Sequence, residues 1–494
     1  MTLPLLERLP SGLTVEACAA RLGARPWFTW LDSGSDAAGL GRWSFLCAEP
    51  WAALRALGMR TERRGTDGTW QPVAGDLLTA LDRELTPLAV APAAGGPPFQ
   101  GGAAGYIGYD WGRVLEPRIP AASAADLGLP DAMFGLYDVV IAWDHQSGEG
   151  WIVSTGDPAT GTARETHART RLAEVLQWLA APASCALGDA LLACPGPLDS
   201  HTGAAPSYPV IGVEDAEFVQ LRSTFTHRGY LSAVQRVREY ILAGDIFQAN
   251  LSQRFQAPLP ETPGRLYARL RHRNPAPFGA WLSLDDVTLL SVSPERFLRL
   301  DGRAVETRPI KGTRPRGLGP MHDEALGKEL TESEKDRAEN LMIVDLLRND
   351  LSRVCAPGTV RVPELFHLEQ HPTVLHLVST VTGMLRPEYR AADLLRVSFP
   401  GGSITGAPKI RAMQLLERLE PVRRGPYTGI AGWLGPDGSM ATSILIRTFV
   451  ADGERLSLHV GGGITWRSDP AAEWDETVAK ARGPLSALGA REVA

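Results

Sequence analysis

The chain has 494 residues, and 50 Lys and Arg against 56 Asp and Glu leave a formal net charge of −6. That mildly acidic balance argues against a nucleic-acid binder, which needs a basic face or stripe. A composition 44% hydrophobic and 21% charged is that of an ordinary soluble globular protein, long enough for two or three domains or one large intertwined unit.

The five cysteines (Cys18, Cys47, Cys185, Cys194 and Cys355) are scattered without a CxxC pair. Neither a disulfide framework nor a zinc site follows from them, and a reducing cytoplasmic location is the expectation. The first residues lack a basic stretch followed by an apolar one, so no secretory signal is read, and no segment is apolar for long enough to span a membrane.

Taken in chain order, residues 1–180 read as strands and turns with a few helices. Trp43–Cys47 and Leu136–Trp143 have strand composition, and Gly101–Gly108 alternates small and aromatic residues around Tyr106. Residues 181–222 shift to Ala, Pro, Gly and Ser and read as a linker or surface excursion. Residues 223–488 alternate helical and strand-like segments, which predicts α+β layers. Thr226 caps a helix whose stripe of Tyr230, Val234, Val237 and Ile241 ends at Gly244.

Two further helices carry paired acids. Ser333 caps one bearing Asp336 and Glu339, and Asp469 with Pro470 opens another bearing Glu473 and Glu476, with Lys480 one turn on. Each pair alone reads as a solvated helix face. Two such pairs together suit an oxygen-loving divalent cation such as Mg²⁺.

Lys311 lies in ETRPIKGTRPRG, read as a loop flanked by Arg308, Arg314 and Arg316. Guanidinium charge and partial desolvation would lower its pKa and make it nucleophilic, against the plainer reading of a basic surface loop. PGGSITGAPK, residues 400–409, fails as a phosphate loop and as a nucleophile elbow. A backbone-rich turn able to hold a carboxylate through its amides, Ser403 and Thr405 survives. Gly461, Gly462 and Gly463, read as a loop after the strand Leu456–Val460, offer the same or form a tight turn. Arg447 is the one charge in a strand read over Ala441–Val450, either at an edge or paired with an anion. His376 sits among apolar neighbours, where a lone histidine is more often a satisfied core residue than a catalyst.

In order along about 250 residues stand GDIFQANLSQRF, SVSPERFL, ETRPIKGTRPRG, DRAENLMIVDLLRNDL, HLVSTV, PGGSITGAPK, GPYTGIAGW, ILIRT, GGGIT and EWDETVAKA. This series resembles the chorismate-utilising enzymes that include anthranilate, isochorismate and salicylate synthases. PFQGGAAGYIGYDWGR (98–113) and NPAPFGAW (274–281) extend the likeness. The resemblance implies a two-layer sandwich of antiparallel sheets with outer helices, the N-terminal half intertwined with the catalytic half. Lys311 stands where anthranilate synthases carry alanine, which places the chain in the branch that aminates chorismate at C4. Gln248 stands where water-using members place a lysine base.

By that resemblance Glu339 and Glu476 would hold Mg²⁺, with Asp336 and Glu473 supporting through water. Glu295 would be the general acid, Lys311 the nucleophile at C2, and His376 would lie against the ring. Gly402, Ser403, Thr405, Tyr427, Arg447 and the Gly461–Gly463 amides would hold the substrate, with Lys480 beside the metal carboxylates. Ammonia would come from solution or from a separate glutamine amidotransferase subunit, since none of the five cysteines sits in a Gly-x-Cys-x-Gly turn.

Leu31-Asp32-Ser33 resembles the region that binds tryptophan in relatives. Asp32 stands where they show glutamate, so Asp32 and Ser33 read as a structural remnant or a sensor. Two alternatives accompany C4 amination: anthranilate-type amination at C2 with Lys311 a bystander, and a non-catalytic tryptophan- or chorismate-binding regulatory subunit.

Overall fold

The computed structural model describes residues 4–34, 39–65, 67–88, 91–182, 221–371 and 374–488. The expected linker falls almost wholly outside them, as do Cys185 and Cys194. Two antiparallel sheets of twelve strands each form the frame.

Strands from both halves of the chain share each sheet. In the first, Thr29–Asp32 pairs with Phe278–Leu284; in the second, Gly102–Ile107 pairs with Ile430–Leu434. The sheets face each other across an apolar interior that includes Leu282, Leu289 and Val450 from the first and Tyr106, Met133 and Ala431 from the second. Helices cover the outer faces. Leu77–Leu85, Glu334–Ser352 and Ala391–Ser398 pack on the second sheet, and Val15–Leu22, His227–Leu242, Pro263–Arg273 and Pro470–Leu485 on the first. The α+β sandwich with outer helices and intertwined halves is therefore the architecture observed.

The helix starts follow their caps. The side chains of Thr226, Ser333 and Asp469 accept from backbone amides two or three residues on, which satisfies donors that a first turn leaves free. Two strand expectations are corrected. Leu136–Trp143 is two strands, Ala132–Tyr137 in the second sheet and Val139–Asp144 in the first, because the chain changes sheet at Asp138, whose buried carboxylate pairs with Arg171. Ala441–Val450 is likewise split into Met440–Ile444 and Thr448–Asp452.

That second split matters for the site. Val287–Ser293 and Thr448–Asp452 pair in the first sheet, while Arg296–Asp301 and Met440–Ile444 pair in the second. Two chain segments thus cross between the sheets side by side, as corner strands of packed sheets do. Glu295 lies on one crossing and Arg447 on the other. The Ile444 amide donates to the Glu295 carbonyl at 3.0 Å, and the Val292 amide to the Arg447 carbonyl at 3.2 Å.

Candidate active site

Lys311 is the second residue of the strand Ile310–Pro315, which pairs irregularly with Val374–Met384. It is on a sheet edge and not on a loop. Its Nζ donates to the Ser403 carbonyl at 2.7 Å, and the Ser403 hydroxyl donates to Glu295 Oε1 at 2.8 Å. One serine therefore touches both the lysine and the glutamate. Ser403 sits in the single turn Gly402–Ile404, held by the Thr405 hydroxyl donating to the Gly401 and Gly402 carbonyls at 3.0 and 3.3 Å.

Glu295 is only 6% exposed. Burial pushes its carboxyl above the ordinary value, against Lys311, the Ser403 hydroxyl and the Ile310 amide, which favour the anion. Burial pulls the Lys311 amine down, against the Glu295 and Glu339 charges, with Lys480 adding to the drop. Both shifts favour a protonated acid beside a neutral amine. The three neighbouring arginines do not produce this effect. Arg308 pairs with Glu364 and Glu369, Arg314 with Glu329 and Asp336, and Arg316 with Asp323. Desolvation acts in their place.

His376 faces Thr313 across the strand pair, with its Nδ1 2.9 Å from the Thr313 hydroxyl. Its Nε2 is buried without a hydrogen-bond partner among the described residues. Burial, followed by the Arg447 and His371 charges, holds its pKa well below the usual histidine range, so the ring is neutral. Arg447 is a second group without a counter-ion. It adopts a φ of 52°, burial acts alone on its pKa and pulls it down, and no ion pair forms to it among the described residues. A half-buried guanidinium without a carboxylate partner could take an anion. Tyr427 stacks on His459, with ring centroids 5.2 Å apart. Its phenol is pushed up to about 12 by burial.

Gly461, Gly462 and Gly463 lie inside the strand Arg455–Ile464, opposite Ser252, Leu251 and Asn250, and not in a loop. What they contribute is the space left by their missing side chains. A Cβ at Gly461 would come 2.9 Å from the Tyr427 hydroxyl, at Gly462 3.1 Å from Glu473 Oε2, and at Gly463 2.2 Å from Gln248 Nε2. Gln248 opens its own strand, is buried, and leaves Oε1 without a partner among the described residues.

The acidic pairs converge from the helices Glu334–Ser352 and Pro470–Leu485. Glu339 Oε1 and Glu473 Oε2 are buried without a hydrogen-bond partner among the described residues. Burial raises both carboxyls; Lys311 and Lys335 oppose this at Glu339, while Glu476 adds to it at Glu473. Burial also raises Glu476, but Lys480, Lys335 and Lys311 together bring it below its ordinary value. Lys480 pairs with Glu476 at 2.7 Å and donates to the Gly461 carbonyl at 3.0 Å. Asp336 accepts from Arg314 at 3.1 Å.

Among the described residues no three His, Cys, Asp or Glu side chains gather into a complete cage. Two carboxylate oxygens without hydrogen-bond partners among these residues, Glu339 Oε1 lying 4.0 Å from Lys335 Nζ, nonetheless fit a cation that takes one or two protein carboxylates and fills its other positions with water and substrate. Asp32 and Ser33 are engaged elsewhere. Asp32 accepts from Arg271, from the Tyr267 hydroxyl at 3.0 Å and from Ser44 at 3.3 Å, and Ser33 donates to the Trp43 carbonyl at 2.8 Å. Thr313 and Asn250 were not singled out from the sequence. Thr313 gave no signal, because the register shifts between Ile310 and Thr313 and the two-residue alternation of a regular strand does not tie it to Lys311.

Residues 46–486 match the family model described as chorismate binding enzyme, and the chain belongs to that family. It is a chorismate-utilising enzyme. Over 468 residues it is 40% identical to aminodeoxychorismate synthase component 1 of Klebsiella aerogenes, covering 94% of this chain and 95% of that protein. Over 415 residues it is 42% identical to anthranilate synthase component 1 of Thermus thermophilus, covering 84% and 82%. Among solved structures, anthranilate synthase component I from Streptococcus pneumoniae superposes with a TM-score of 0.74 at 28% identity, covering 90% of this chain and 92% of that one. Among the described residues no helix is long and apolar enough to cross a membrane.

Proposed function

We propose that the protein replaces the 4-hydroxyl of chorismate with an amino group, giving 4-amino-4-deoxychorismate on the route to 4-aminobenzoate and folate. The observation that carries this reading is the Lys311–Ser403–Glu295 chain, in which burial favours a neutral amine next to a protonated acid.

Lys311 would attack C2 while Glu295 gives its proton to the departing 4-hydroxyl, which leaves as water. A nitrogen–carbon bond forms at C2, the ring double bonds shift, and the C4–oxygen bond breaks. Ammonia, accepted by Gln248 Oε1, would then attack C4, the double bonds shift back, and Lys311 departs. The Glu295 carboxylate takes up the proton released. Arg447, Tyr427 and the Gly402–Thr405 turn would grip the two carboxylates of the substrate, with neutral His376 against the ring. Glu339 and Glu476 would hold Mg²⁺, supported by Asp336 and Glu473 through water. Bound there, the ion supplies charge neutralisation of the ring carboxylate. Relatives are named as component 1 of a synthase, and on that basis ammonia would come from a separate glutamine amidotransferase subunit.

The second reading is amination at C2, favoured by the 42% identity to an anthranilate synthase component 1. Lys311→Ala separates the two. Loss of the C4 product with chorismate still bound supports the first reading, and unchanged turnover supports the second.

A further inference from the structure

We infer that Arg424, itself almost wholly buried, is a positioning residue that sets the geometry of Lys311, Glu295 and Tyr427. The inference deepens the proposed function and rests on it. Arg424 is 1% exposed, one of the largest fully buried side chains among the described residues.

Every N–H of its guanidinium is used. Nε donates to Glu420 Oε2 at 2.9 Å, and one terminal nitrogen donates to Glu420 Oε1 at 2.7 Å and to the Asn250 carbonyl. The other terminal nitrogen donates to the Ile404 carbonyl at 3.0 Å and to the Thr428 hydroxyl at 3.2 Å. The five donors of a planar guanidinium thus meet five acceptors. Glu420 is tied in turn to the Ser252 amide and hydroxyl at 2.8 and 2.9 Å.

Those acceptors belong to three segments distant in sequence, and each segment carries site groups. Ile404 lies between Ser403, which holds Lys311 and Glu295, and Thr405. Asn250 is two residues beyond Gln248 and faces Gly463 across the strand pair. Thr428 follows Tyr427 and adopts a φ of 57°, a strained backbone held in place by its neighbours. The guanidinium also lies 4.4 Å from the centroid of the Tyr109 ring and 5.8 Å from that of Tyr427. Burying an ion pair this deeply is a weak source of stability. Three site-bearing segments converging on one fork therefore point to geometry as its use. A lysine has three donors in no fixed plane and cannot reproduce the fork.

The test measures chorismate consumption whatever product forms, with ammonium as nitrogen source, for Arg424→Lys and Arg424→Ala. A wild-type protein that consumes no chorismate would sink the proposed function itself, and this inference is read only against an active wild type. Arg424→Lys is expected to keep its far-ultraviolet circular dichroism and to lose about 10- to 100-fold in kcat, the cost of displacing reacting groups by about an ångström. Arg424→Ala is expected to regain part of its kcat with guanidinium ion far below denaturing concentrations, and not with methylammonium. Folded Arg424→Lys with wild-type kcat and KM overturns the inference, as does folded Arg424→Ala that guanidinium leaves unchanged. Should neither variant fold, Thr428→Val decides. A severalfold lower kcat at an unchanged Tm supports the positioning role, and wild-type kcat refutes it.

Discussion

Removing one hydroxyl tests whether Ser403 tunes the acid. In Ser403→Ala the main-chain carbonyl that receives Lys311 remains, and only the 2.8 Å bond to Glu295 Oε1 is lost. That bond favours the carboxylate, so its loss raises a pKa that burial has already raised. A hydrogen bond to a charged group is worth about 1.5–3 kcal/mol, and each pKa unit is about 1.4 kcal/mol, so Glu295 moves up by about 1–2 units. The low end applies because the serine hydroxyl also serves the neutral acid. The assay is infrared difference spectroscopy across a pH series, with Glu295→Gln identifying the protonated-carboxyl band by its absence. The band should persist about one pH unit higher in Ser403→Ala than in wild type. A band that disappears at the same pH, or lower, refutes the view that this hydroxyl stabilises the Glu295 anion.

Other outcomes follow from the same geometry. Gly463→Ala should raise the KM for ammonium or lower kcat by about tenfold, because its Cβ would collide with Gln248 Nε2 at 2.2 Å. Gly462→Ala, whose Cβ meets Glu473 and Glu476 at 3.1 and 3.5 Å, should leave the ammonium KM nearly unchanged and weaken the metal. Titration of each variant with ammonium and, separately, with Mn²⁺ read by electron paramagnetic resonance checks the contrast. Glu339→Gln should weaken Mn²⁺ binding in that titration by at least about tenfold, and equal binding would remove Glu339 from the metal set. The double variant Lys311→Met/Glu295→Gln removes a coupled buried pair. At neutral pH it should melt at or above the wild-type Tm, and a clearly lower Tm would show that the buried pair stabilises the fold.

Much of the candidate site could be read from the order of the motifs along the chain, although each motif alone had a plainer reading. The helix caps Thr226, Ser333 and Asp469 act locally, so their reading survives folding. What failed depended on tertiary neighbours. The three arginines near Lys311 in sequence are claimed by carboxylates as distant as Glu369, so burial and not guanidinium charge lowers the amine. Arg447 looked like a strand residue because the apolar run on either side continues through a change of sheet, and only its φ of 52° marks the corner. The triple glycine suggested a turn by composition, whereas it is a strand kept bare for Tyr427, Glu473 and Gln248 to approach. Arg424 gave no signal at all. Beside Arg423 and just past a helix it reads as a solvated charge, and its role depends on Glu420, Ile404, Asn250 and Thr428 meeting in space.

The most direct test of the central claim is the identity of the product. Purified protein is incubated with chorismate, Mg²⁺ and ammonium at mildly alkaline pH, and the mixture is resolved with and without added aminodeoxychorismate lyase. 4-Aminobenzoate is expected only when the lyase is present, and is expected to be lost in Lys311→Ala. Fluorescent anthranilate formed without the lyase would contradict it, place amination at C2, and make Lys311 a bystander.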